Sequence, residues 1–288
     1  MIAIPGIVPN AGPHLGSLVE TFRPWLGLAV PVLLLAALLR RSTTALLAVV
    51  ALAGVWSVVF AAAFKPGDGT GGIVAVQHNA SDENPDPQGT ARALLAAGPD
   101  LVALEEVLPE ALPAYSGVLD PELPYRAVSG TVALWSRYPL TDVRPLDIKP
   151  EAIGDGWQRA LRATAAVPGL GPVAVYVAHL PSLRLGLTGF GSGPRDEGAA
   201  KLGPLLTAEP VHRLILLGDL NATTADRGLR PVTRQLNAPP EDFTFSWPAS
   251  SPVARIDQVL ARGGKVPAIR ALPATGSDHL PVVARVVF

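Results

Sequence analysis

From Ile73 to Phe288 the chain is cut into apolar runs of four to six residues, and this spacing constrains the fold more than any other feature. Runs that short, bounded by Gly, Pro, Asn and Asp, read as strands. They fall at Ile73–Gln77, Leu101–Leu104, Thr131–Trp135, Leu161–Ala166, Val173–Ala178, Leu214–Leu217, Arg255–Leu260 and Val282–Val287. Amphipathic stretches between them, notably Gly89–Ala97 and Arg195–Leu206, predict helices. Residues 73–288 therefore predict one α/β domain.

Six strands or strand-like runs end on Asn, Asp, Glu or His: four of these at Asn79, at Glu106, at His179 and at Asp219 with Asn221, then Ala254–Ile256 at Asp257 and Thr275–Ser277 at Asp278 with His279. Polar groups gathered at strand ends are how α/β sheets build ligand sites. Gly218-Asp219-Leu220-Asn221 sets a carboxylate and an amide two residues apart on a strand-end turn. Ser277-Asp278-His279 sets a metal ligand beside an acid–base group. Each signal alone has an ordinary reading. Gly-Asp-X-Asn is a common turn, His179 suits a structural histidine, Glu106 a cap, Asn79 a turn start, and Asp257 an ion pair with Arg255. Their joint occurrence points to metal-assisted hydrolysis of a phosphate ester. The chain has no Cys. Any metal is then bound by oxygen or imidazole, which favours hard cations: Mg²⁺ or Mn²⁺, with Ca²⁺ as an alternative.

The N-terminal part has a different character. Charged residues are only 16% of the chain and mean hydropathy is +0.33, and the excess is concentrated. Between Trp25 and Phe64 the only charges are Arg40 and Arg41. Ala45–Phe64 is 20 residues without a charge, about what the ~30 Å hydrocarbon core requires of a helix. Pro24–Leu39 is shorter and reaches that length if Phe22 joins it and Arg23 snorkels. Residues 22–64 thus predict a transmembrane helical hairpin, with Arg40–Thr44 as a cytoplasmic turn under the positive-inside bias. The expected location is the plasma membrane, multi-pass, with everything after Lys65 extracytoplasmic. A buried helical pair, and a cleaved signal peptide ending at Ala61-Ala62-Ala63, are the other readings of this stretch. Residues 1–21 carry no signal, and 65–72 read as a flexible linker. Residues 73–288 hold 19 basic and 22 acidic residues, a net charge of −3. That is no basic surplus of the kind a sequence-independent nucleic-acid binder shows.

The joint pattern resembles the endonuclease/exonuclease/phosphatase superfamily of metal-dependent phosphoesterases, which includes pancreatic-type deoxyribonucleases, apurinic endonucleases and neutral sphingomyelinases. The resemblance spans about Ile73–Phe288 and leaves the hairpin outside it. It is carried by Asn79 at the first strand end and by Asp100-Leu101-Val102-Ala103-Leu104-Glu105-Glu106-Val107. It continues through Ser136-Arg137-Tyr138-Pro139, His179-Leu180, Gly218-Asp219-Leu220-Asn221, Arg255-Ile256-Asp257 and Ser277-Asp278-His279. It implies a four-layer α/β sandwich, two packed mixed sheets flanked by helices.

At those positions the chemistry assigns Glu106 as the leading metal ligand, with Asn79 adding a neutral amide oxygen. Asp219, Asn221, Asp278 and His279 complete the candidate ligands. His279 fits a base of near-neutral pKa whose tautomer a carboxylate fixes. By resemblance, Asp219 orients or deprotonates the water, Asn221 holds the phosphoryl oxygen, His179 donates to the phosphate and Asp257 orients the network. Two positions depart from the family pattern. Glu105 stands where Gln is usual, and strand alternation directs it away from Glu106. Gln258 stands where an aromatic or His commonly follows Arg-Ile-Asp, which bears on substrate stacking. The expected function is a membrane-anchored phosphoesterase acting on a lipid-linked or small phosphoester. An extracellular membrane-bound nuclease and a non-catalytic binding module on the same fold are the alternatives. Nothing in the sequence implies a protein partner.

Overall fold

The computed structural model describes residues 5–61, 71–186 and 189–288. Its helices are α1 (Leu15–Thr21), α2 (Ala29–Leu39), α3 (Thr43–Val59), α4 (Pro87–Leu95), α5 (Leu112–Leu119), α6 (Gly193–Thr207) and α7 (Arg230–Thr233). The first strands are β1 (Ile73–Asn79), β2 (Leu101–Glu105), β3 (Tyr125–Ser129), β4 (Val132–Ser136), β5 (Leu140–Pro145), β6 (Ala160–Val167) and β7 (Gly171–Ala178). A short hairpin of β8 (Leu185–Gly186) and β9 (Gly189–Phe190) follows. The chain then runs through β10 (Leu214–Asp219), β11 (Asp257–Arg262), β12 (Ile269–Ala271) and β13 (Val282–Val286).

One sheet has the order β12-β13-β1-β2-β4-β3 and the other β11-β10-β7-β6-β5. Each is mixed: β1 runs parallel to β2 and β10 to β7, while their other neighbours are antiparallel. Because successive side chains alternate faces, each strand feeds two layers. Ile73, Ala75, Leu101 and Ala103 meet Val175, Val177, Ile215 and Leu217 between the sheets. On the outer faces, Leu94, Tyr115 and Leu119 of α4 and α5 cover Val76, Val102 and Leu104. Ala199, Leu202 and Leu206 of α6 cover Tyr176, Leu214 and Leu216. The result is two packed mixed sheets flanked by helices. All eight expected strands are present. β3, β5, β12 and the short β8–β9 hairpin are additional.

The N-terminal region differs from the expected pair of spans. α2 is 11 residues and α3 is 17, about 25 Å for the longer at 1.5 Å per residue. Among the described residues no single helix is long and apolar enough to cross a membrane. The bent combination of Leu15–Thr21 with Arg23–Leu39, kinked by 76°, passes by length and composition only as a pair. The shortening has local causes. Arg23–Leu28 forms a 3₁₀ turn rather than helix. Arg41, with φ 49°, closes α2 as the Ser42 N–H bonds the Ala37 carbonyl at 3.2 Å. Ser42 then caps α3 through its Oγ on the Ala45 N–H. Residues 62–64 of the expected second span, and 65–70 of the expected linker, lie outside the described residues.

The helical hairpin is joined to the rest of the molecule by aromatic packing. Trp25 stacks on Phe245 with centroids 5.5 Å apart, and Trp56 and Phe60 each lie 5.7 Å from Phe243. The Trp25 indole N–H donates to the Val253 carbonyl at 2.7 Å. The far side is different: of α2 only Ala37 is buried, of α3 only Val49, and Leu39, Leu47 and Val58 are 70–76% exposed.

Candidate active site

Parallel pairing brings four strand ends together. β1 and β2 end at Asn79 and Glu105, and β7 and β10 end beside His179 and at Asp219. The antiparallel strands reach the same end by their beginnings. Asp257, the first residue of β11, pairs with Asp219, and His279 lies just ahead of β13, whose Val282 pairs with Gln77. A cavity of about 450 Å³ opens there, and Asn79, Glu106, His179, Asp219, Asn221 and His279 are among the residues that border it. Asp278 also borders it, with its side chain exposed and its backbone carbonyl accepting from the Ala249 N–H at 2.7 Å.

Backbone conformation aims several of these groups. Glu106 (φ 58°) and Asn221 (φ 47°) occupy the left-handed region. That is tolerable for Asn but costly for Glu, and such strain concentrates at functional sites. It turns the Glu106 carboxylate, 27% exposed, to within 3.8 Å of His179 Nε2. Asn221 closes the turn with its N–H on Asp219 Oδ1 at 2.9 Å, and its side-chain amide donates to the Leu180 carbonyl at 2.8 Å. Gly218 is required by proximity: a Cβ there would lie 1.9 Å from the Ala178 carbonyl oxygen of β7. Asn79 donates to Asp219 Oδ2 at 3.1 Å, and its own carbonyl is held by the Ser277 hydroxyl at 2.7 Å.

Burial and charge set the protonation of the cluster. His279 Nδ1 lies 2.9 Å from Asp257 Oδ2, and its Nε2 faces Asp219 Oδ2 at 3.8 Å. Burial works against the imidazolium, but Asp257 and then Asp219 outweigh it and carry His279 up to about 10. For Asp257, burial pushes upward and the charge and hydrogen bond of His279 overcome it, so this carboxyl stays ionised. Asp219 is raised to about 7 by burial and by Asp257, against the opposing pull of His279. Burial and Asp257 thus move Asp219 upward, while the two carboxylate neighbours of His279 favour its charged form. His179 is lowered to about 3 by burial and then by Arg159. Arg159 Nη1 sits 3.2 Å from His179 Nδ1 and 3.5 Å from its Nε2. A guanidinium only donates, so the nearer contact favours the tautomer in which Nδ1 accepts and Nε2 carries the proton, facing Glu106 and Asp219.

Gln77, Arg159 and Ser246 belong to the site and were not singled out from the sequence. Gln77 lies between the sheets and donates to Glu105 Oε2 at 2.6 Å and to Asp257 Oδ1 at 3.3 Å. Glu105 accordingly points into the inter-sheet layer, away from Glu106, where burial raises its pKa well above the glutamate range. Ser246 Oγ accepts from the Ile256 and Asp257 N–H groups at 3.2 and 3.3 Å. Gln258 is buried and ties the Ala222 and Arg255 carbonyls together, at 3.1 and 2.7 Å. It lines no stacking face.

The donor set fits a hard divalent cation. Asp219, Asp257 and His279 bring one potential ligand atom each within 4.8 Å of one another. Both Asp257 oxygens are already engaged, however, by Gln77 and His279. Glu106, Asn79 and Asp219 flank His179 on the cavity side. Asp219 is raised by burial among carboxylates, a charge arrangement that a cation relieves.

Fold and site together define a phosphoester hydrolase that works with a metal ion. The profile of the Endonuclease/Exonuclease/phosphatase family matches residues 71–279. The chain belongs to that family and is a metal-dependent hydrolase of phosphoric ester bonds. No curated protein sequence matches it. Similar solved structures include sphingomyelinase C from Streptomyces griseocarneus, at 19% identity, TM-score 0.56, and 75% and 99% coverage of this chain and that one. The mannosyl-6-phosphatase of Bacteroides thetaiotaomicron gives 15%, 0.59, and 75% and 100%. A variant of beta toxin from Staphylococcus aureus with bound magnesium ions gives 15%, 0.57, and 75% and 99%.

Proposed function

We propose that this protein is a membrane-anchored, divalent-metal-dependent phosphoesterase acting outside the cytoplasm on a lipid-linked or small phosphoester. The observation that carries the reading is the meeting of Asn79, Glu106, His179, Asp219, Asn221 and His279 around one cavity, with Asp257 directly behind His279. Glu106 and Asn79, with Asp219 beside them, would hold Mg²⁺ or Mn²⁺. The cation supplies charge neutralisation for the phosphoryl oxygens. Asp219 orients the attacking water and takes its proton as the new P–O bond forms and the ester bond breaks. His279, kept protonated by Asp257, donates to the developing oxyanion, and neutral His179 donates through Nε2 to a phosphoryl oxygen. Asn221 holds the Asp219 carboxylate in place.

The outward apolar faces of α2 and α3 support anchoring, since a bilayer is the environment in which exposed Leu39, Leu47 and Val58 carry no hydration penalty. Arg40 and Arg41 at the turn support the orientation. The net charge of −3 on residues 73–288 favours lipid-linked or small esters over nucleic acid. Relatives in fold that act on sphingomyelin and on a sugar phosphate agree with that choice.

The test uses full-length protein in detergent with Mg²⁺ or Mn²⁺, offered bis-p-nitrophenyl phosphate, phospholipids, phosphomonoesters and nucleic acids. Turnover is expected, lost on chelation, restored by either metal and abolished in His279→Ala. Full activity of that variant rejects the site assignment. Turnover of nucleic acid alone rejects the substrate.

A further inference from the structure

The cavity has an apolar component to its lining, and part of it comes from outside the family match. Beside the carboxylates and imidazoles it is lined by Phe22, Leu183, Phe190, Trp247 and Ile256. Phe22, with its neighbour Thr21, belongs to the N-terminal segment, some fifty residues before the first strand of the sandwich.

That segment is held in place by more than contact. The Glu20 side chain is fully buried and accepts from both the backbone N–H and the Nε of Arg227, each at 2.9 Å. The Thr21 hydroxyl donates to Asp226 Oδ2 at 3.4 Å. Asp226 in turn pairs with buried Arg195, whose Nη1 donates to the Asn221 carbonyl at 3.2 Å. His14 bonds Ser192 at 2.7 Å, and the Phe190 N–H donates to the Pro13 carbonyl at 2.9 Å. The N-terminal segment thus braces two apolar wall residues, its own Phe22 and Phe190, and is wired to the backbone of the Gly-Asp-Leu-Asn turn.

We propose that Phe22 is a specificity-determining residue, and that the apolar lining it completes takes the hydrocarbon portion of an amphiphilic phosphoester. This rests on the phosphoesterase reading of the polar residues in the same cavity. An apolar wall gains from burying each methylene group, so a preference carried by it rises with hydrocarbon length. Trp247, 37% exposed, is the most exposed of these apolar lining residues and offers a broad apolar face to a hydrocarbon chain.

The experiment measures kcat/KM of the full-length protein in nanodiscs for methyl, butyl and hexyl p-nitrophenyl phosphate. It also measures affinity for methyl- and hexylphosphonate by calorimetry. Both hexyl-to-methyl ratios should exceed about tenfold. Phe22→Ala should reduce them at least about fivefold, and Phe22→Leu should keep most of the preference, which a misfolded wall would not. Flat ratios in the unaltered protein overturn the proposal even if every ester is hydrolysed. A phosphonate preference that is present without hydrolysis of any ester overturns the phosphoesterase reading and leaves the wall assignment standing. Equal ratios in Phe22→Ala and the unaltered protein remove Phe22 from the assignment.

Discussion

His179 shows how one neighbour decides what an imidazole can do. The Arg159 guanidinium occupies its Nδ1, so the ring offers a single N–H, aimed at the carboxylate side of the cavity. Arg159→Ala frees the ring to take the other tautomer. A loss of about tenfold to a hundredfold in kcat is expected, with Arg159→Lys recovering part of it and the unfolding midpoint unchanged. Steady-state kinetics beside a thermal melt checks this, and a kcat equal to the parent's removes Arg159 from the site. The motif residues Asn79, Glu106, Asp219 and Asn221 were legible because each follows an apolar run, and His279 because it stands just before one. Arg159 and Gln77 were not. Arg159 reaches His179 only through the pairing of β6 with β7, and Gln77 meets Asp257 only because two sheets stack face to face. Neither relation leaves a mark in local sequence.

Among the elements, those the sequence revealed are the ones with two covered faces. β1, β2, β4, β7 and β10 are buried almost throughout, so their apolar runs stand out. β3 and β5 are sheet edges whose residues are mostly exposed, and edge strands carry little apolar signal. The turn after α6 is joined to β6 and β7 by a buried polar knot that the sequence did not announce either. Glu209 accepts from Arg162 Nε and Nη2, each at 2.9 Å, and from the Tyr176 hydroxyl at 2.8 Å. Burial pushes Glu209 upward, but the Arg162 hydrogen bonds, with those from Val211 and Tyr176, bring it down to about 2. A depressed carboxyl stabilises the fold above its ordinary pKa and loses that contribution as pH falls through the folded value. Glu209→Gln should therefore cost roughly 3 kcal/mol at pH 7, where it leaves Arg162 buried without its partner. The gap to the parent should close as pH drops from about 4.5 toward 2. Urea unfolding across that range measures it, and a gap independent of pH would assign the cost to packing instead.

For the whole molecule, the distribution of apolar surface sets the expectation. The sandwich hides its apolar residues in three layers, whereas α2 and α3 present theirs outward. The full chain is expected to sediment with membranes and to resist alkaline carbonate extraction. A reporter fused after Phe288 should be active only outside the cytoplasm; activity inside would reject the orientation drawn from Arg40 and Arg41. The sequence marked this region as apolar, yet not that Trp25, Trp56 and Phe60 would pack on Phe243 and Phe245, because aromatic partners some two hundred residues apart share no local pattern. The position of Thr21 and Phe22 in the cavity wall has a consequence for modularity. The N-terminal helices and the hydrolase share a cavity wall, so grafting the sandwich onto another N-terminal segment is expected to shift the hexyl-to-methyl preference.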